Sequence, residues 1–232
     1  MSDKLRITLP RESITAIGAL TCRAWNGDPS SIEAVKKLKQ IEGIGLNLGA
    51  VEFKFGFDRM VLYDNAVKEI LKIKPDAIIM QLGAGLCTRF ERIDNGLVTW
   101  IDVDHPEIGF LRRQIFDTSS PRYHFIPFDL RNDMAVYNGE PRSLFDIDVD
   151  FIVAEAVLCY LQEKRAIEIV KKFKKPYAFD AIGPKRTVEL GQEQYWQIDE
   201  KWTRWGFLNK RKVTEFDVDL EERQSLFIEG DP

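Results

Sequence analysis

The chain has 232 residues, of which 44% are hydrophobic and 30% charged, and its formal net charge is −4. This composition is typical of a folded globular protein and argues against disorder. The mildly negative charge gives no general attraction to nucleic acid or to anionic membranes, so we predict neither as a partner.

The N-terminal sequence and the few cysteines and histidines argue against further classes of protein. The N-terminal sequence lacks the pattern of a signal peptide, and we expect no membrane span because no stretch approaches the roughly 20 apolar residues that one needs. Three widely spaced cysteines and two histidines offer little material for a zinc site or for Ser-His-Asp chemistry. We therefore predict no metal and a reducing, cytoplasmic location.

Helices are predicted first along the chain. A cap-like Asp28-Pro29-Ser30 sequence precedes one helical stretch, and residues 58–73 have apolar residues at helical spacing. We expect residues 1–75 to form a helical cover over a core made by residues 76–232.

From residue 76 onward, short apolar runs alternate with helical stretches. Strands are predicted at 76–83, 97–104, 123–130, 150–161 and 176–183, and residues 212–220 and 223–230 resemble a closing antiparallel pair after a short insertion at about 183–210. This alternation predicts an α/β fold with a mostly parallel, Rossmann-like sheet. Ligands of such sheets bind beyond the carboxyl ends of the strands.

Glycines and acids stand at these strand ends. Gly83 and Gly85 follow the first strand, Asp104 the second and Asp129 the third, whereas Glu155 lies after or within the fourth. A carboxylate is costly to bury in an apolar strand unless it is paired, so Glu155 points to function. We expect the glycine turn and the acids to share one crevice.

The glycine pattern narrows the ligand. A dinucleotide fingerprint requires a third glycine, but Thr88 stands three residues after Gly85, and no Walker A sequence is present. Asp104 lies 19 residues after Gly85, where a carboxylate can accept the ribose hydroxyls of NAD or S-adenosylmethionine. No cluster of cations is available for pyrophosphate, so an adenosine ligand without phosphate, such as S-adenosylmethionine, fits better.

Four segments together resemble one known family. LGAGLCTRFERI, TWIDVDHPEI, FIPFDLRND and VAEAVLCYL are similar in order and spacing to the motifs of the leucine carboxyl methyltransferase family, which includes O-methyltransferases of polyketide biosynthesis. The match spans about residues 55–165. It implies a class I methyltransferase sheet with a helical N-terminal cover and a closing antiparallel strand. Cys87 departs from the family, which has Asp at this position.

The resemblance also implies roles for individual residues. Gly83, Ala84 and Gly85 would approach the methionine part of the cofactor, and Glu155 would lie near its amino group. The remaining cofactor contacts would come from Asp104 at the ribose, Asp129 and Leu130 around the adenine, and Arg59 at the cofactor carboxylate. The sequence CRAW at 22–25 is similar to a family segment that helps to cover the site. Candidates for the acceptor pocket are Tyr160 and Arg89, with a core role for Tyr160 and a loop-closing role for Arg89 left open.

The predicted function is O-methylation with S-adenosylmethionine, which leaves S-adenosylhomocysteine. The acceptor would be a carboxylate or phenolic oxygen of a small molecule, or a protein C-terminus, because few candidate bases are present. Two alternatives stay open: a non-catalytic module that binds either form of the cofactor, and an NAD(P)-dependent oxidoreductase. Residues 201–212 mix bases and aromatics, which we interpret as a cover over the crevice rather than a nucleic-acid surface.

Overall fold

The computed structural model describes residues 14–41, 53–137 and 140–180. The described elements are α1 (Ile14–Trp25), α2 (Pro29–Leu38), α3 (Phe53–Ile73), β1 (Ile78–Leu82), α4 (Arg89–Ile93), β2 (Thr99–Asp104), α5 (Pro106–Ile115), β3 (Tyr123–Pro127), β4 (Met134–Tyr137), β5 (Glu140–Ser143), β6 (Phe151–Ala154), α6 (Glu163–Phe173) and β7 (Tyr177–Phe179). The predicted insertion, the cover at 201–212 and the closing strand pair lie outside the described residues.

The central sheet has five parallel strands in the order β3-β2-β1-β6-β7. The chain builds outward from β1 to β3 and then returns to place β6 on the other side of β1. The order of the strands therefore reverses between β1 and β6, and the carboxyl ends of all five strands lie at the same edge. This architecture confirms the predicted α/β, Rossmann-like fold class, and the reversal marks the crevice where such sheets bind ligands.

The strands are apolar on both faces because helices cover both sides of the sheet. On one face Ile79 and Trp100 join a cluster with Val67 of α3. On the other face Met80 belongs to a cluster that includes Ile169 of α6. Successive strand residues thus enter different clusters, as the period of two in a strand requires.

The N-terminal helices pack in two different places. Tyr63, Val67 and Leu71 of α3 lie directly against the sheet, so α3 shares the core of the strands. Helices α1 and α2 pack instead on α5 and on Leu86, next to the glycine turn. The division of the chain at residue 75 remains a prediction, but α3 is a layer of the sheet core rather than a separate cover.

Two predicted helix starts agree with the structure. The side chain of Asp28 accepts a hydrogen bond from the Ser31 N–H at the start of α2, where Pro29 occupies the first turn. Helix α5 begins at Pro106, whose missing N–H needs no partner there.

The antiparallel hairpin of β4 and β5 is absent from the predicted elements. It lies between β3 and β6 in the chain and pairs outside the main sheet. The sequence signal that indicates it is the Asn-Gly pair at 138–139, since Asn-Gly is the preferred centre of a tight hairpin turn.

Asp150 fixes the amino end of the sheet, opposite the crevice. Its Oδ2 accepts a hydrogen bond of 2.8 Å from the Ile78 N–H, and Lys74 Nζ lies 2.8 Å from its Oδ1. Burial favours a higher pKa for Asp150, but the Lys74 and Ile78 hydrogen bonds outweigh it and lower the pKa.

We expect Asp150→Ala to lower the free energy of unfolding by about 1–2 kcal/mol at pH 7, because the Ile78 N–H loses its partner. The folded pKa of Asp150 lies below the unfolded value of roughly 3.9, so the charge-dependent part of this contribution is present above that pH and is lost as the pH falls through the folded pKa. Urea titrations at pH 7 and pH 3 measure it, with Asp148→Ala at an exposed pair as the control. A difference between wild type and Asp150→Ala that grows on acidification would contradict this account.

Candidate functional site

The turn after β1 needs glycine at two positions. Gly83 and Gly85 have φ angles of 59° and 52°, in the left-handed region that favours glycine. A Cβ on Gly83 would also lie 2.2 Å from Val157 Cγ2, so the turn after β1 and the turn after β6 are in close contact. Gly83 therefore lets two loops meet at the point where the strand order reverses.

Asp104, the last residue of β2, is bound to the same turn. Its Oδ2 accepts a hydrogen bond of 2.7 Å from the Gly85 N–H, and its Oδ1 accepts one of 2.7 Å from the His105 N–H. Burial raises the pKa of Asp104, and the two backbone hydrogen bonds oppose this effect. The structure thus brings together the glycine turn and Asp104, the residue that is predicted to bind the ribose.

Glu155, the first residue after β6, is held by two arginines. Arg89 Nη2 donates to its Oε2 at 2.6 Å, and Arg59 Nε donates to its Oε1 at 3.1 Å. Burial favours a higher pKa for Glu155, but the charges of Arg89, Arg59 and Arg23 outweigh it and lower the pKa to about 2. Glu155 is therefore an anion at neutral pH, two residues before Val157, which contacts the glycine turn.

The side chain of Arg89 is buried between α3, β1 and the loop after β6. Its side chain is 0% exposed, and its remaining donors reach Asp64 Oδ1 at 2.8 Å and Gln81 Oε1 at 2.9 Å. Hydrogen bonds to Asp64 and Glu155 are contacts with acids of the kind that a loop-closing arginine makes, and a place for Arg89 in the acceptor pocket remains a prediction.

The loop that contains Cys87 is surrounded by charges from the N-terminal helices. Arg92 binds Asp64 through two hydrogen bonds of 2.8 and 3.0 Å, and the Thr88 hydroxyl donates to Asp28 Oδ2 at 2.7 Å. Cys87 itself is buried; burial favours a higher pKa for its thiol, but neighbouring arginines outweigh it and lower the pKa. The carboxylates beside this loop thus come from α3 and from the start of α2, not from position 87.

A second buried arginine holds the loop from the side of α5. Arg112 Nη1 donates to the carbonyls of Gly85 at 2.9 Å and Cys87 at 3.0 Å, and its Nη2 lies 2.7 Å from Asp102 Oδ2. The Tyr123 hydroxyl donates to the same Asp102 oxygen at 2.8 Å. Sequence reasoning missed this network, because Arg112 stands at an unremarkable position in a predicted helix.

The other predicted residues are more dispersed. Asp129, beyond β3, accepts hydrogen bonds from the Arg131 backbone and side chain, and Leu130 is buried in the core. Tyr160 is half-buried, its hydroxyl lies 3.4 Å from Thr15 Oγ1, and burial raises its pKa to about 12. The phenol of Tyr160 is therefore neutral at physiological pH.

Arg23 of α1, within the CRAW segment, also reaches the glycine turn. Its Nη2 lies 3.4 Å from the Leu86 carbonyl, and its side chain is buried. Among the described residues, no hydrogen-bond partner faces its Nε. A buried donor of this kind is costly unless another group satisfies it, so Arg23 can bind an anionic ligand group.

These residues fit an adenosine ligand better than a pyrophosphate. In dinucleotide sites the loop N–H groups after the first strand face the phosphates. Here the Gly85 N–H is directed at the Asp104 carboxylate, which would repel a phosphate at that place. The Glu155 anion and the Arg23 and Arg59 cations can instead receive the ammonium and carboxylate of an amino acid.

Comparisons with known proteins bear on the fold. No protein-family model and no curated protein matches the sequence of this chain. The structure of the small RNA methyltransferase HEN1 is similar with a TM-score of 0.50 at 11% identity, over 73% of this chain and 22% of the HEN1 chain. The plantazolicin methyltransferase BpumL, in complex with a triazolic desmethylPZN analog and SAH, is similar with a TM-score of 0.50 at 13% identity, over 89% of this chain and 76% of that chain. The chain therefore shares the fold of these methyltransferases.

The described part of the chain has neither a membrane-spanning helix nor a cluster of metal ligands. Within residues 14–41, 53–137 and 140–180, no helix has the length and apolar character that crossing a bilayer requires. The same part of the chain contains no cluster of three or more His, Cys, Asp or Glu side chains placed to hold a metal ion.

We expect Arg89→Met to lower the free energy of unfolding by about 3 kcal/mol, because the buried anions Glu155 and Asp64 would each lose one of two hydrogen-bonded arginine partners. Arg89→Lys should fall between this variant and wild type, since one ammonium cannot reach three acceptors as a guanidinium does. Denaturant titration measures both, with Arg113→Met on the exposed side of α5 as the control. Equal stability of Arg89→Met and Arg113→Met would contradict the proposed role of Arg89.

Proposed function

We propose that this chain is a methyltransferase that uses S-adenosylmethionine and transfers the methyl group to an oxygen atom. The observation that carries the proposal is the contact among three strand ends. The Asp104 carboxylate after β2 is bound to the glycine turn after β1, and the loop after β6, which contains the Glu155 anion, contacts the same turn through Val157. The shared fold of two solved methyltransferases supports the proposal.

The order of the strands suggests how the cofactor lies along the edge of the sheet. Neighbouring strands are about 4.8 Å apart, so an extended ligand crosses several strand ends. Adenine would lie near Asp129 and Leu130 beyond β3, ribose at Asp104 on β2, and the amino acid part between β1 and β6. The edge at β7 then remains for the methyl acceptor.

Each charged group of the amino acid part has a partner in this arrangement. Glu155 would accept the ammonium, and Arg59 and Arg23 would hold the carboxylate. S-adenosylmethionine supplies the methyl group on a sulfonium centre. The residues of the chain fix the position of that centre before reaction, and positioning of this kind supplies a large part of the rate enhancement in two-substrate reactions.

We infer the chemical class of the methyl acceptor from the resemblance to one methyltransferase family. The four motifs support a place beside the leucine carboxyl and polyketide O-methyltransferases, and hence a carboxylate or phenolic oxygen of a small molecule, or a protein C-terminus, as acceptor. A carboxylate is already an anion at neutral pH and needs no general base. Cys22, Cys87 and Cys159 are buried thiols without disulfides, which supports the prediction of a cytoplasmic location.

Calorimetric titration with S-adenosylhomocysteine, and with NADH in parallel, tests the cofactor. We expect S-adenosylhomocysteine to bind and NADH not to bind, because the Gly85 N–H faces a carboxylate rather than a phosphate. Binding of NADH alone would contradict the proposal and favour an NAD(P)-dependent oxidoreductase.

Methyl-labelled S-adenosylmethionine then tests catalysis against a panel of carboxylic acids, phenols and peptides with free C-termini. Transfer of label to one class supports the enzyme. Binding of cofactor without transfer to any class would favour the non-catalytic cofactor-binding module.

We expect Asp104→Ala to reduce the affinity for S-adenosylhomocysteine about 100-fold, because two charge-assisted hydrogen bonds to ribose, of about 1.5 kcal/mol each, are lost. Asp117→Ala, an exposed carboxylate that caps a loop beyond α5, is the control and should bind as wild type does. Calorimetry on both folded variants decides the matter, and unchanged affinity in Asp104→Ala would mean that the ribose lies elsewhere.

A further inference from the structure

Asp180 is a partly buried carboxylate directly after β7, at the same edge of the sheet as the glycine turn. Its side chain is 25% exposed. Burial raises the pKa of Asp180, opposed by Arg59 and by a backbone hydrogen bond. Partial burial of a carboxylate is unfavourable unless the group is paired or hydrogen-bonded, so the two contacts of Asp180 indicate its role.

The first contact is with the turn after β6. Asp180 Oδ1 accepts a hydrogen bond of 2.8 Å from the N–H of Ala156. Ala156 has a φ angle of 52°, a left-handed conformation that is unfavourable for a residue with a Cβ. This residue immediately follows Glu155, so Asp180 stabilises the backbone conformation that presents the Glu155 side chain.

The same turn is in contact with the glycine turn. Val157, one residue further on, occupies the space beside Gly83 so closely that no Cβ could be added there. A change in the backbone at Ala156 would therefore move both Glu155 and Val157, the side chain that packs against Gly83. The hydrogen bond from Ala156 to Asp180 connects β7 to both sides of the crevice.

The second contact is with Arg59. Arg59 Nε lies 3.6 Å from Asp180 Oδ2 and 3.1 Å from Glu155 Oε1. Two carboxylates from neighbouring strands thus hold one guanidinium of α3. Since Arg59 is the residue proposed to hold the cofactor carboxylate, its orientation depends on Asp180 as well as on Glu155.

We propose that Asp180 is a positioning residue for the cofactor, which it affects through the Ala156 N–H and through Arg59 without contacting the ligand. This inference rests on the proposed function. It assigns to β7 a part in cofactor binding, in addition to its place beside the acceptor.

Two substitutions separate the contributions of Asp180. Asp180→Ala removes both the hydrogen bond and the charge, whereas Asp180→Asn keeps an oxygen that can accept from Ala156 and removes only the charge. We expect the affinity for S-adenosylhomocysteine to fall at least tenfold in Asp180→Ala. Asp180→Asn should recover part of that loss.

Asp150→Ala is a matched control. Asp150 also accepts a hydrogen bond from a backbone N–H and pairs with a cation, but at the opposite edge of the sheet. It should lose stability and keep wild-type affinity for S-adenosylhomocysteine. Calorimetric titration gives the affinities, and thermal unfolding of each variant gives the stability at which they are compared.

The results distinguish three cases. Weakened binding in Asp180→Ala, partial recovery in Asp180→Asn and normal binding in Asp150→Ala support the inference. Affinity within twofold of wild type in both Asp180 variants, or an equal loss in Asp150→Ala, would overturn it and leave the proposed function intact. Failure of the wild-type chain to bind S-adenosylhomocysteine would instead overturn the proposed function, and the inference with it.

Discussion

The burial of one positive charge organises this molecule. Arg89 has no exposed side-chain surface, so its guanidinium must find all of its partners within the protein. It finds them on three separate parts of the chain: Asp64 on α3, Gln81 on β1 and Glu155 after β6. Because each partner would lose a charged donor without Arg89, the three parts are bound to one arrangement. Helix α3, the central strand β1 and the loop after β6 are therefore joined by polar contacts as well as by the apolar core.

The glycine turn is held by a second buried arginine and by Asp104, whose Oδ2 accepts a hydrogen bond from the Gly85 N–H. Arg112 holds two carbonyls of the turn from α5 and is itself fixed by Asp102. A turn that needs two left-handed glycines has many conformations in the unfolded chain, and the contacts with Arg112 of α5 and Asp104 of β2 restrict it. A loop held in this way loses little conformational entropy when a ligand binds, because it is already ordered. The structure thus explains how a flexible sequence such as Gly-Ala-Gly becomes a rigid part of a site.

Cys87 shows how a departure from a familiar motif is accommodated. The thiol stands where the resembling family has a carboxylate, yet Arg92 still meets carboxylates, because Asp64 binds it directly and Asp28 Oδ2 lies 3.7 Å away. Electrostatic balance of a buried cluster depends on how near the charges lie, not on which residue of the chain carries them. The changed motif therefore does not by itself remove the negative charge that the arginines of the loop require.

The sequence alone determined the fold class, the five strands of the sheet and the residues at their carboxyl ends, because apolar periodicity and the positions of glycine, proline and acid are local properties. It placed Gly83, Gly85, Asp104 and Glu155 at one edge, since parallel strands share their direction. Only the tertiary structure decided which charges meet. Arg89 reaches Glu155 across 66 residues and Arg59 reaches it across 96, and the parts played by Arg112 and Asp180 have no local signature at all. A long side chain acts where its donors end, and that point is fixed by the packing of several elements at once, which no stretch of sequence contains.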